Sequence, residues 1–202
     1  MADWVTISQV ATAGGTLALA AATYSSIRAA QASTRLAERA MLAAQRPLLV
    51  HSNADDLTEL VRFGDEVTIT VPGHSGAAVN KDSGLYLGLS LRNGGTGMAM
   101  IHSWHTFADH DRRGDPPQLD AFRPQQLDIL VPANSTGVWR GAIREDEDSA
   151  EVRDALARGD RIYIDLLYSD HEGGQRAVAR FALPTSAEDN GGRVELLRYW
   201  NV

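Results

Sequence analysis

No charged residue occurs between Trp4 and Ile27, a stretch of 24 residues near the N-terminus. A helix needs roughly 20 mostly apolar residues to cross the hydrocarbon layer of a bilayer. The sequence therefore predicts a membrane span over residues 4–27, continued by an Arg- and Ala-rich stem over 28–45. Because eight residues of the stretch are Ser, Thr or Gln and many others are Ala, a soluble helix packed in an oligomeric stalk is the alternative. A cleaved secretory signal fits less well, since the basic residues follow the apolar run.

The ends of this predicted span have features of membrane interfaces. Trp4 and Tyr24 lie 20 residues apart, which is about 30 Å in a helix, and aromatic side chains collect at both interfaces. Arg28 follows directly. The positive-inside tendency predicts a single-pass protein of the bacterial inner membrane, with its N-terminus outside and the rest cytoplasmic.

Small residues recur every four positions within the helix, at Gly14, Ala18 and Ala22. Such spacing lets two helices approach closely, and it is typical of helix-packing faces in membranes. We therefore expect this face to favour a homo-oligomer through the N-terminal helix.

The chain changes character at Pro47, which disfavours helical geometry at Arg46. We expect an N-terminal helical domain over 1–46, with a net charge of +2, and a second domain over 47–202, with a net charge of −9. The acidic balance argues against nucleic acid as a partner. Because the chain has no cysteine, it has no disulfide scaffold and no cysteine nucleophile. Lys81 is the single lysine among 19 basic residues, which is typical of high-GC bacterial or phage genomes.

After Pro47, apolar residues alternate with polar ones, as in strands with one buried face. The clearest run carries Leu85, Leu87, Leu89 and Leu91, and further strands are predicted at 48–52, 67–71, 98–107, 126–131, 137–142, 162–168, 177–183 and 193–200. One short helix is predicted before Gly159, with its cap at Asp148 or Ser149. The fold class is therefore mainly β: a long N-terminal helix followed by an antiparallel, immunoglobulin-like β-sandwich with one short connecting helix. This layout resembles bacterial single-pass proteins that carry a β-sandwich on a membrane helix, without indicating a named family.

No motif for catalysis is complete. His105, Asp109 and His110 could converge on a metal ion at a strand end, although ordinary loop polarity explains them as well. The segment 73–77 resembles a serine elbow, but Ala77 replaces the second glycine. The acids at 145–148 are explained by electrostatics at a helix start. We therefore expect no cofactor and no metal.

The functional hypothesis is a non-enzymatic, membrane-anchored interaction protein, which presents its cytoplasmic β-sandwich to a protein partner or to copies of itself. The alternative is a soluble homo-oligomeric structural protein, such as a phage or shell component, with a helical arm. A metal-dependent hydrolase is the third hypothesis.

Overall fold

A computed structural model describes residues 3–144, 150–185 and 191–202 of the chain. These residues belong to two compact units, Met1–Ala44 and Gln45–Val202. The first unit is a single helix, α1 (Asp3–Ala44). The second unit is built mainly from β-strands. The acidic run at 145–148 and the predicted helix cap at Asp148 or Ser149 lie outside the described residues.

The prediction that α1 crosses a membrane is wrong. Among the described residues, no helix combines the length with the apolarity that a bilayer span requires. The 42 residues of α1 are long enough, so the shortfall is in hydropathy, because hydroxyl and amide side chains and alanines occupy most of the uncharged stretch. The inner-membrane, single-pass location and the outward N-terminus were derived from that span and are corrected with it.

The residues assigned to the membrane interfaces lie on α1. Tyr24 is exposed, and the guanidinium of Arg28 lies 5.2 Å from the centre of its ring. Trp4 lies in the first turns of the helix. These interface roles presupposed the membrane span. The role of Gly14, Ala18 and Ala22 as a packing face stays a prediction.

The described residues of the second unit form twelve strands and one further α-helix. Their bounds are β1 (Leu49–His51), β2 (Glu59–Arg62), β3 (Thr68–Val71), β4 (Ser75–Lys81), β5 (Gly84–Asn93), β6 (Ala99–Phe107), β7 (Arg123–Val131), β8 (Thr136–Arg144), α2 (Ala150–Arg158), β9 (Ile162–Ser169), β10 (Arg176–Leu183), β11 (Gly191–Arg193) and β12 (Glu195–Asn201). Short 3-10 turns at Asp111–Gly114 and Leu119–Ala121 lie in the connection from β6 to β7.

The strands form two five-stranded sheets and a separate hairpin, and every described pairing is antiparallel. In the first sheet β5 pairs with β8 along its length, while its other edge pairs with β4 and β1, and β11 extends β4. The second sheet has the order β12-β10-β9-β6-β7. The hairpin consists of β2 and β3.

One hydrophobic core is shared by the two five-stranded sheets. Its members include Leu87 and Leu89 from the first sheet and Ile164 and Leu166 from the second. The alternation along β5 predicted one buried face, but nearly the whole strand is buried. On the other face of β5, Tyr86 packs in a smaller cluster with apolar residues of the β2–β3 hairpin. The hairpin therefore buries the face of β5 that points away from the main core.

The immunoglobulin-like part of the fold prediction is also wrong. An immunoglobulin constant-type domain divides seven strands between two sheets. Here the second sheet alone has five strands in the order β12-β10-β9-β6-β7, and the β2–β3 hairpin forms a third sheet. Sequence alternation located individual strands but could not fix their pairing, because pairing depends on contacts between residues far apart in the chain.

Candidate functional site

The three residues considered for a metal site do not form one. His110 is engaged through Nδ1, which lies 2.6 Å from the hydroxyl of Tyr163, and an Asp109 carboxylate oxygen accepts the amide of Asp111 at 2.9 Å. The ring of His105 stacks on Phe107, and burial lowers the pKa of His105. Within the described part of the chain, no group of three or more His, Asp or Glu side chains could hold a metal ion.

A Ser–His–Asp arrangement that no local sequence motif indicates occurs on the second sheet. His102 is the extra residue of a β-bulge in β6; its Nε2 lies 2.7 Å from Ser169 Oγ, and its Nδ1 lies 3.6 Å from Asp128. However, the Ser169 hydroxyl donates its only proton to the carbonyl of Asp170 at 2.6 Å. His102 must therefore donate to Ser169, which is the opposite of base activation. Ser169 is also buried, so this arrangement does not present a nucleophile.

A groove rich in arginine lies between the two sheets and the hairpin, and we call it the arginine groove. Its volume is about 390 Å³. Residues of the hairpin, β6, β7 and β8 line it: Arg62, Phe63, Gly64, Trp104, Arg123, Pro124, Gln125, Gln126, Leu127, Arg140, Gly141, Ala142 and Arg144. The described lining thus contains four arginines and no carboxylate, although the chain has a net charge of −7.

One of the four arginines is held by a carboxylate outside the lining. Arg144 forms an ion pair with Asp65 and donates to the Tyr86 hydroxyl at 3.0 Å. Tyr86 also donates to Asp65. The hydrogen bond from Tyr86 and the contacts with Arg144 lower the pKa of Asp65, and the hydrogen bond to Asp65 raises the pKa of Arg144. Arg144 is therefore fixed in place and locally neutralised.

The other three arginines of the lining differ in how they are held. Arg140 donates from Nη1 to the carbonyl of Arg62 at 3.0 Å, which ties β8 to the hairpin. The guanidinium of Arg123 lies 5.1 Å from the centre of the Trp104 ring. The Arg62 side chain is exposed and makes no hydrogen bond or ion pair with the described residues. The guanidiniums of Arg62 and Arg140 retain N–H donors for a ligand.

Gln125 joins the two sheets at the floor of the groove. Its amide donates to the carbonyl of Arg140 at 2.9 Å and accepts the indole N–H of Trp139 at 3.2 Å. Both acceptor and donor belong to β8, whereas Gln125 belongs to β7. The Gln125 side chain thereby holds β7 and β8 together at this point of the groove. It also provides a hydrogen-bond acceptor for the indole N–H of the buried Trp139.

The aromatic rings of the groove are already packed against other groups. Trp104 is 3% exposed, and its ring meets Trp139 edge to face at 5.2 Å between ring centres. Phe63 packs edge to face on Tyr86 at 4.9 Å. A nucleobase requires an open aromatic face for stacking. The groove offers guanidinium donors instead, and these match carboxylate oxygens in a forked geometry.

Sequence reasoning missed this site. Its arginines come from positions 62, 123, 140 and 144 and form no motif in the sequence. The high arginine content by itself indicates only codon usage. No local signal could have grouped them, because they meet only after β7, β8 and the hairpin pack together.

Fold and site thus describe a mainly β domain with an arginine-lined groove. The chain matches no protein-family model and no curated protein. Among solved structures, a protein from Archaeoglobus fulgidus matches with 13% sequence identity and a TM-score of 0.26, over 63% of this chain and 93% of that chain. A likeness at this TM-score establishes neither a shared fold nor a shared function.

Proposed function

We propose that this chain is a non-enzymatic interaction protein whose β-domain binds an acidic segment of a protein partner in the arginine groove. The observation that carries the proposal is the concentration of four arginines, with no carboxylate among the described lining residues, in one groove of about 390 Å³ in an acidic chain. Acidic segments supply the complementary charge, and such complementarity speeds association and selects partners.

The rim of the groove supports a peptide over a small inorganic anion. Leu127 lines the groove and is 72% exposed, and Leu60 on the hairpin is 68% exposed. Leu60 lies two residues before Arg62, so both side chains emerge on the same face of β2. A segment with alternating acidic and apolar residues would place carboxylates on the arginines and apolar side chains on these leucines.

The test uses a fluorescein-labelled 12-residue peptide with six glutamates and six leucines, titrated with the full-length protein and followed by anisotropy. We expect binding that weakens as NaCl is raised from about 50 to 300 mM, because exposed charges are screened at that ionic strength. The double variant R62Q/R140Q should weaken binding at least about tenfold, since charge-assisted hydrogen bonds contribute roughly 1.5–3 kcal/mol.

The matched control is R158Q/R161Q, which removes the same charge from exposed arginines outside the groove. It should change the dissociation constant less than about twofold, as expected for long-range screened charges. Equal effects of the two double variants, or equal binding of the peptide with glutamine in place of glutamate, would refute the proposal. Thermal unfolding of each variant verifies that it is folded.

A further inference from the structure

The helix α1 presents large apolar side chains to solvent along its length. Val10 is 67% exposed, Leu17 72%, Tyr24 59% and Ile27 51%. A helix in a protein owes most of its stability to packing of an apolar face. The described contacts within the first unit provide no such packing, since a single helix makes up that unit.

These four exposed residues follow a seven-residue spacing, whereas the exposed Leu19 and Leu36 lie outside it. Val10, Leu17 and Tyr24 are seven apart, and so are Ala13, Ala20 and Ile27, which follow the first set by three positions. This is the a and d pattern of a coiled coil, in which two helices pack along a common line. We call these six residues the seam. Gly14, Ala18 and Ala22 lie about 130° away around the helix axis, on another face.

We propose that the seam packs against the seam of a second copy of this chain in antiparallel orientation. We place the two-fold axis of the pair level with the midpoint between Leu17 and Ala20. Each residue of the Val10 series (position a) then meets a residue of the Ala13 series (position d) of the other copy. Val10 then lies opposite the second copy's Ile27, and Ala13 lies opposite its Tyr24. Leu17 lies opposite the second copy's Ala20, and the remaining layers repeat these pairs by two-fold symmetry.

Side-chain volume favours this orientation over a parallel one. Each central antiparallel layer sets one alanine against one large residue, Tyr24 or Leu17, and such alternation fills space between helices. In a parallel pair Ala13 and Ala20 would each face their own copies, which leaves gaps. Tyr24 would then face Tyr24 and crowd the interface.

Charge favours the same orientation. A parallel pair sets Arg28 and Arg35 at the same heights as their copies, so the arginines of both helices gather at one end of the pair and repel each other. In the antiparallel pair Arg28 comes level with the uncharged Gln9 of the second copy. Thr34 comes level with the second copy's Asp3, so Arg35 lies one residue, about 1.5 Å along the axis, from the level of that residue. Asp3 is exposed in the first turn of α1. Like charges are separated and opposite charges approach.

Light scattering coupled to size exclusion tests the association with the full-length protein. We expect a mass near twice 21.8 kDa for the natural sequence, and a shift to the monomer mass for L17E. The matched control is L19E, because Leu19 is 70% exposed but is turned about 200° from Leu17 around the axis. L19E should stay dimeric. A monomeric natural protein, or equal loss of dimer in L17E and L19E, would overturn the proposal.

Cysteine cross-linking tests the orientation, and the chain has no cysteine of its own. Oxidation of two thiols by diamide, which is itself reduced to the hydrazine, should yield covalent dimers of the double variant V10C/I27C. V10C alone and I27C alone should yield less than about a tenth as much, because equivalent residues lie some 25 Å apart in the antiparallel pair. Efficient cross-linking of V10C alone would show a parallel pair and refute the proposed orientation. Absence of cross-links in all three variants would refute the seam itself.

Discussion

Arg180 and Asp165 form a two-pronged ion pair in the second sheet, where Arg180 is 3% exposed and Asp165 is 1% exposed. Nε of Arg180 lies 2.6 Å from one carboxylate oxygen, and Nη2 lies 2.7 Å from the other. Nη1 donates to three carbonyls of the connection from β6 to β7, those of Arg112, Arg113 and Asp115. The pair therefore anchors this connection to the sheet.

Replacement of Asp165 by asparagine should destabilise the protein by about 3–5 kcal/mol, because it leaves the buried guanidinium without a counter-charge. The free energy of unfolding in urea measures the effect. Asp160→Asn is the control, since the Arg158–Asp160 pair is exposed and such pairs contribute at most about 1 kcal/mol. A D165N protein within about 1 kcal/mol of the natural protein would show that the pair is not structurally important.

Asn93 has a fully used side-chain amide at the end of β5. Its oxygen accepts the amides of Leu48 and Gly95, each at 3.0 Å, and its nitrogen donates to the carbonyls of Gly97 at 2.7 Å and Val131 at 3.0 Å. Asn93→Asp should destabilise the protein by at least about 2 kcal/mol, because a buried carboxylate would face two carbonyls. Asn80→Asp, on an exposed position of β4, should have little effect in the same urea titration. Equal effects of the two variants would contradict this assignment.

Gly97 permits two backbone segments to lie against each other. A Cβ at this position would overlap the carbonyl oxygen of Gln45. Gly97→Ala should therefore destabilise the protein by roughly 1–3 kcal/mol through overpacking, measured as the free energy of unfolding. Gly114→Ala serves as the control, because a Cβ there meets nothing within 4 Å. A neutral G97A variant would mean that this contact relaxes without cost.

We expect two histidines to make the free energy of unfolding depend on pH. Burial, and then the neighbouring His51 and Arg193, lower the pKa of His74, and burial also lowers the pKa of His105. The unfolded chain binds protons near the ordinary value of about 6.5, so it holds more protons than the folded protein just below that pH. The contribution of these histidines to the free energy of unfolding should be fully present above about pH 6.5. It should fall as the pH decreases, until the imidazoles of the folded protein also bind protons.

The variant His74→Asn should reduce the slope of the free energy of unfolding against pH, measured in a series of urea titrations between about pH 5 and 7.5. Asparagine suits the site because the φ of His74 is 57°, a region that asparagine tolerates. His171→Asn, whose histidine side chain is 53% exposed, is the comparison and should leave the slope unchanged. A slope that is unaffected by H74N would refute the assignment to His74.

Asp65 controls the charge of the arginine groove through Arg144. Asp65→Asn should tighten binding of the acidic peptide by about two- to fivefold, because Arg144 then lacks a counter-charge. Asp160→Asn makes the same change in net charge outside the groove and should leave the dissociation constant unchanged. Anisotropy titrations of both variants measure this, and weaker binding by D65N would contradict the electrostatic account of the groove.

Local pattern was sufficient to predict several elements. The run from Leu85 to Leu91 corresponds to β5 (Gly84–Asn93), and the alternation from Ile162 to Tyr168 corresponds to β9 (Ile162–Ser169). The strand β4 (Ser75–Lys81) was not predicted, because its small residues show no clear alternation. The membrane prediction failed because a stretch without charge can still be too polar for a bilayer, and alanine and the hydroxyl residues have low hydropathy.

The sequence by itself determined what depends on neighbours in the chain: a long uninterrupted helix before Pro47, a strand-rich remainder, and the heptad spacing along α1. Only the tertiary structure decided which strands pair, how β5 is buried on both faces, and how Arg62, Arg123, Arg140 and Arg144 come to line one groove. The reason is physical. Periodicity reports the geometry of one segment, whereas a groove or a buried ion pair such as Arg180–Asp165 exists only when separate segments pack and exclude water together.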